Sequence, residues 1–95
     1  MQQRRSRPPR YKMTKRPDGM LPPQLIYRRC MLAAIDAGLS QAEIARRIGV
    51  PPSRVNDVFR GWYYRAPLLI DVAAELGTTT RDLFGLEFAR EAVNG

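Results

Sequence analysis

Residues 40–61 read SQAEIARRIGVPPSRVNDVFRG, and the spacing within this stretch decides the fold. Ser40 and Glu43 form a Ser-x-x-Glu capping box directly ahead of a short apolar pattern. The box predicts a helix from Gln41 to Ile48, with Ile44, Ala45 and Ile48 turned inward. Gly49 follows as a residue able to take a left-handed conformation and turn the chain. Pro51 and Pro52 then lead into a further helix, roughly Pro52 to Arg60, that buries Val55, Val58 and Phe59. Proline suits a first helical position because its missing N–H would be unpaired there anyway.

Two short helices joined by a Gly-containing turn predict a helix-turn-helix. Small Ala45 lets the second helix approach, Gly49 makes the bend four residues later, and Val55 with Val58 holds the second helix from beneath. The pattern extends on both sides. Upstream, Pro23 opens a helix to about Ala37, closed by Gly38, with Ile26, Cys30, Ala33 and Ala37 along one face. Leu25, Leu32 and Ile35 add a second apolar strip, so this helix is expected to be covered on more than one side. Downstream, Pro67 opens a fourth helix with Leu69, Val72, Ala73 and Leu76 inward and Gly77 at its end. Thr79 or Thr80 caps a fifth, which inserts Leu83 and Phe84. Leu86, Phe88, Ala89, Ala92 and Val93 then either finish the core or self-associate. No β-alternation occurs, so an all-α domain is expected over 23–85, with residues 86–95 as a C-terminal extension.

The charge is unevenly placed. Of 95 residues, 16 are Lys or Arg and 9 are Asp or Glu, a formal net charge of +7. Residues 1–17 hold Arg4, Arg5, Arg7, Arg10, Lys12, Lys15 and Arg16 and no acid, while bases and acids balance in the remainder. Residues 1–22 therefore read as a flexible basic arm with too few apolar groups to offset ordering. Such an arm suits phosphates or a minor groove, although a plain solvated tail has the same composition. The chain has no histidine and one cysteine, Cys30. That rules out histidine acid–base chemistry and a zinc centre of the usual ligands. A lone cysteine has no internal disulfide partner, as suits a reducing compartment. The longest apolar run, Cys30 to Ile35, is too short for a membrane span. Asp36, Glu43, Asp71, Glu75 and Asp82 are scattered, with no paired carboxylates and no phosphate-cradling glycine motif. No enzyme, metal or cofactor is expected.

The stretch from Gln41 to Gly61 resembles the helix-turn-helix of phage-repressor-like (Cro-type) transcriptional regulators. The likeness continues through LIDVAAELG at 69–77 and TRDLF at 80–84, and covers about residues 24–85. It implies a compact five-helix, lambda-repressor-like domain whose third helix enters the DNA major groove, in proteins that are often homodimers at paired half-sites. The chain is also similar to the small Ner-type regulators of transposable phages and to antitoxins of the host-inhibition-of-growth type. It departs from the common pattern at Pro51, where Ser or Thr usually caps the third helix, and at Pro52, where a base-reading side chain is usual. The segment after Gly61 also lacks the Arg-rich connection of the antitoxins.

With Val55 and Val58 inward, the opposite face presents Ser53, Asn56, Asp57 and Arg60, with Arg54 at the flank. These are the candidate base-reading residues. Asn56 suits adenine, arginine suits guanine, and Asp57 suits the cytosine amino group. The same face is also what a solvated amphipathic helix presents. Gln41, at the start of its helix, is the candidate phosphate anchor, as that position often is in the family. Arg65 and the arm bases complete the candidate backbone contacts. Arg28, Arg29, Arg46 and Arg47 read as solvated. Trp62, or one of Tyr63 and Tyr64, is expected to plug the core or a dimer contact. The combined expectation is a cytoplasmic, nucleoid-associated, sequence-specific regulator of double-stranded DNA, acting as a repressor and as a homodimer, with no membrane partner. The alternatives are an antitoxin that autoregulates through the same motif and binds a toxin, or an RNA- or protein-binding adaptor with the motif as scaffold.

Overall fold

The computed structural model describes residues 16–88. It contains five helices: α1 (Pro23–Ala37), α2 (Gln41–Ile48), α3 (Pro52–Phe59), α4 (Ala66–Glu75) and α5 (Thr80–Phe84). Among the described residues there is no strand. The helix boundaries follow local chemistry. Ser40 Oγ accepts from the Glu43 N–H at 3.0 Å, and the Ser40 N–H donates to Glu43 Oε1 at 3.3 Å. This reciprocal pair starts α2 where the capping box places it. Gly49 ends it at φ 88°, its N–H donating to the Ala45 carbonyl. That left-handed conformation disfavours a side chain, so the turn between α2 and α3 depends on glycine.

α2 and α3 make the most extensive inter-helix packing in the molecule. Ile44 and Ala45 from α2 meet a core that includes Val55, Val58 and Phe59 from α3, all buried. α4 adds Leu68, Leu69, Val72 and Ala73, and α5 adds Thr80, Leu83 and Phe84. Ile26, Cys30 and Ala34 of α1 close the remaining side. Fully burying an aliphatic or aromatic side chain of this size stabilises by roughly 1.5–3 kcal/mol. The domain therefore rests on about a dozen such groups drawn from every helix.

The structure corrects several expectations. α1 buries Ala34 in place of Ala33 and Ala37; Ala33 is half-buried and Ala37 exposed. Alanines at 33, 34 and 37 all fit a helical period, and with equal side chains only the tilt of α1 on its neighbours chooses among them. The second strip is not fully covered: Leu25 is half-buried, while Leu32 and Ile35 are 56% and 68% exposed. Ile48 is half-buried rather than core. α3 ends at Phe59, one residue short of Arg60, and α4 begins at Ala66 with Pro67 as its second residue. Thr79, not Thr80, caps α5 through its side chain, which accepts from the Asp82 N–H at 3.1 Å.

The arm boundary also moves. Residues 16–22 lie against the fold instead of belonging to a free arm. Met20 is buried, and the Leu21 N–H donates to the Phe84 carbonyl at 2.8 Å. The Arg16 guanidinium donates to the Leu21 carbonyl and lies over the Tyr64 ring at 5.9 Å. Met20, the Leu21 backbone bond and the Arg16 contacts hold this short lead-in to the fold, which composition alone did not reveal. At the other end Leu86 and Phe88 are half-buried against the core, so the start of the C-terminal extension finishes the domain.

Candidate nucleic-acid interface

α3 is amphipathic in a way that sets its outward face. Its inward side chains, Val55, Val58 and Phe59, are fully buried. Ser53 and Arg60 are exposed, and Arg54, Asn56 and Asp57 are half-buried. Ser53, Arg54, Asn56 and Asp57 thus lie on α3 outside the core, with Arg60 at its C-terminal cap. The end of α3 is fixed by its backbone: the Arg60 N–H donates to the Asn56 carbonyl, the Gly61 N–H to Val58 and the Trp62 N–H to Asp57, each at 3.0 Å.

Gly61 lets that end meet α1. Its φ is 76°, and a Cβ there would lie 3.0 Å from Pro23 Cα and 3.3 Å from Ile26 Cδ1. Any side chain at this position would push the start of α1 away from the end of α3. The close approach creates an arrangement that the sequence reading missed. The Arg60 guanidinium lies 5.6 Å from the ring centres of both Tyr27 and Trp62, within cation–π range. Pro23, Gln24, Tyr27, Arg60 and Trp62 line an open notch of about 450 Å³. Arg54 lies 5.9 Å from the Tyr63 ring. Tyr63, not Trp62, is the aromatic that plugs the core. Tyr27 sits far from Arg60 in sequence, so no local spacing signals the clamp.

The candidate backbone contacts divide. Gln41 is half-buried at the first turn of α2, and Arg65 is exposed just before α4. Arg16 is drawn to Leu21 and Tyr64, as described above. Arg4, Arg5, Arg7, Arg10, Lys12 and Lys15 lie outside the described residues. Arg46 is exposed, and Arg47 pairs with Glu75 at 3.5 Å. The Arg29 guanidinium donates to the Asp82 carbonyl at 2.8 Å, tying α1 to α5.

Burial pushes the Cys30 thiol from its ordinary value of 9.0 up to about 12. A thiol of that kind supplies no thiolate near neutral pH, and Cys30 acts as a small core residue. Among the described residues no group of three or more Cys, Asp or Glu side chains is placed to hold a metal ion. None of their helices is long and apolar enough to cross a membrane.

A family model of the helix-turn-helix matches residues 33–83, more than half of the chain. The chain belongs to the phage-repressor-like (Cro-type) helix-turn-helix family. The matched span runs from the second half of α1 to α5, so it contains α2, the Gly49 turn and α3. This family consists of DNA-binding transcriptional regulators that are typically not enzymes, and the chain is a DNA-binding regulator of that kind. No curated protein and no solved structure matches the chain.

Proposed function

We propose that this helix-turn-helix protein is a sequence-specific repressor that lays the outward face of α3 in the major groove of duplex DNA. One observation carries the reading: α3 buries Val55, Val58 and Phe59 completely while its polar residues stay outside the core. Asn56 reads adenine through its amide, Asp57 accepts from a cytosine amino group, and Ser53 contacts a base or phosphate near the helix start. Arg54 and Arg60 approach from the flanks, each steadied by aromatic rings. Gln41 and Arg65 bind phosphates on either side of the groove. A homodimer bound at two half-sites covers promoter DNA and excludes polymerase. This activity places the protein in the cytoplasm beside the nucleoid.

The arm supplies charge rather than sequence reading. Each phosphate neutralised on duplex DNA contributes roughly −0.9 to the slope of log K against log salt. Deletion of residues 1–15 removes six bases but keeps Arg16 on the fold. The deletion is expected to flatten that slope by about 3 to 5 with little change in sequence preference.

Selection from a random duplex library, followed by footprinting on the enriched sequence, tests the reading. A repeated or inverted half-site about one helical turn apart supports it. Failure to enrich any duplex sequence, with tight binding to structured RNA in the same salt, contradicts it in favour of an adaptor. Co-purification of a small toxic partner would add an antitoxin role to the same motif.

A further inference from the structure

α1 points Ile26, Cys30 and Ala34 into the core and turns Leu32 and Ile35 to solvent, 56% and 68% exposed. These two aliphatic side chains lie open to water on the side opposite the core, and the residues around them give the patch its charge pattern. Arg28, Leu32 and Asp36 follow one another at spacings of four and four. That series is a palindrome about Leu32, and its members share the outward side of α1. Arg28 and Asp36 are exposed, while Leu39, past the Gly38 cap, packs against the core.

A two-fold axis through Leu32 makes such a face complementary to itself. In an antiparallel pair of α1 helices, Leu32 meets its own copy and Arg28 faces Asp36 of the other chain, twice. Ile35 then lies over the aliphatic stem of an arginine of the other chain. A parallel arrangement would set Arg28 against Arg28 and Asp36 against Asp36, which is repulsive. We propose that the outward face of α1 is a homodimer interface, occupied by a second copy of this chain docked antiparallel about Leu32. Such an interface is isologous and closes at two chains. This dimer rests on the two-half-site reading only for its role, and its existence is measured without DNA.

Sedimentation equilibrium of the full chain without DNA tests it. The wild type is expected to show a concentration-dependent monomer–dimer equilibrium. Leu32→Asp should raise the dimer dissociation constant by about a hundredfold or more, since it buries two carboxylates against each other. Arg28→Asp or Asp36→Arg alone should weaken it about tenfold, because each sets like charges face to face at both ends. The chain with both changes re-forms the two ion pairs in reverse and should return to within about threefold of wild type. These side chains are exposed, so folding should persist, with circular dichroism confirming helix content. A wild type that stays monomeric at high protein concentration overturns the proposal. So does a dimer that Leu32→Asp leaves intact, or a double swap no better than the single changes. A dimer that binds no duplex sequence would contradict the regulator reading and leave this interface standing.

Discussion

α2 and α3 are both eight residues long and pack on each other, yet they begin differently. α2 is closed by its own side chains, with Ser40 and Glu43 satisfying each other's backbone N–H groups. It also places Arg46 and Arg47 in its last turn, where they favour the helix dipole. α3 follows Pro51, which offers no side-chain cap, and has no acid in its first turn and no base in its last. The difference teaches how the motif divides its work. Ser40 and Glu43 complete the start of α2, while the start of α3 stays uncluttered and free of negative charge. A helix N-terminus in that condition suits an approach to phosphates and base edges.

The largest expected break in this comparison lies on the inner side of α3. Phe59→Ala removes a fully buried ring and should cost about 3–5 kcal/mol of stability, read by denaturant unfolding. DNA binding would then fall only because the fold is lost. On the outer side the expectation reverses. Asn56→Ala should change stability by less than about 0.5 kcal/mol, yet cost about 1–3 kcal/mol of binding at the enriched duplex. Ser40→Ala, at the start of α2, should cost about 1 kcal/mol of stability and leave the affinity of the folded protein unchanged. Arg47→Ala breaks an exposed pair with Glu75 and should cost less than about 1 kcal/mol, diminishing further at high salt. If Ser40→Ala weakened specific binding as much as Asn56→Ala, the division between the two helices would be wrong.

How much of this was legible in the sequence depends on how local the cause is. The α2 boundaries follow from Ser40, Glu43 and Gly49, all within ten residues of one another, and the structure reproduces them. Pro51 and Pro52 mark the start of α3 in the same way, since a proline pair leaves few other places for a helix to begin. The face of α1 was less legible. Its choice of Ala34 over Ala33 and Ala37 is made by the neighbours it packs on, and alanines at all three positions give periodicity nothing to distinguish. The anchoring of Arg16 and Leu21 depends on Tyr64 and Phe84, which only folding brings near.

The candidate site shows the same split. The outward placement of Ser53, Arg54, Asn56 and Asp57 is a matter of spacing on one helix and could be read directly. The aromatic clamp on Arg60 needs Tyr27 from α1, carried there by the Gly61–Pro23 approach. No pattern along the chain announces that meeting. The closed side-chain cap of α2, by contrast, was fully contained in four consecutive residues.

The central claim is that α3 reads base edges, and one measurement addresses it directly. Wild type and Asn56→Ala are titrated against the enriched duplex and a scrambled duplex of equal length, all in the same salt. Base reading by α3 predicts a loss of about 1–3 kcal/mol on the enriched duplex and almost none on the scrambled one. An equal loss on both, or no loss on either, would contradict it.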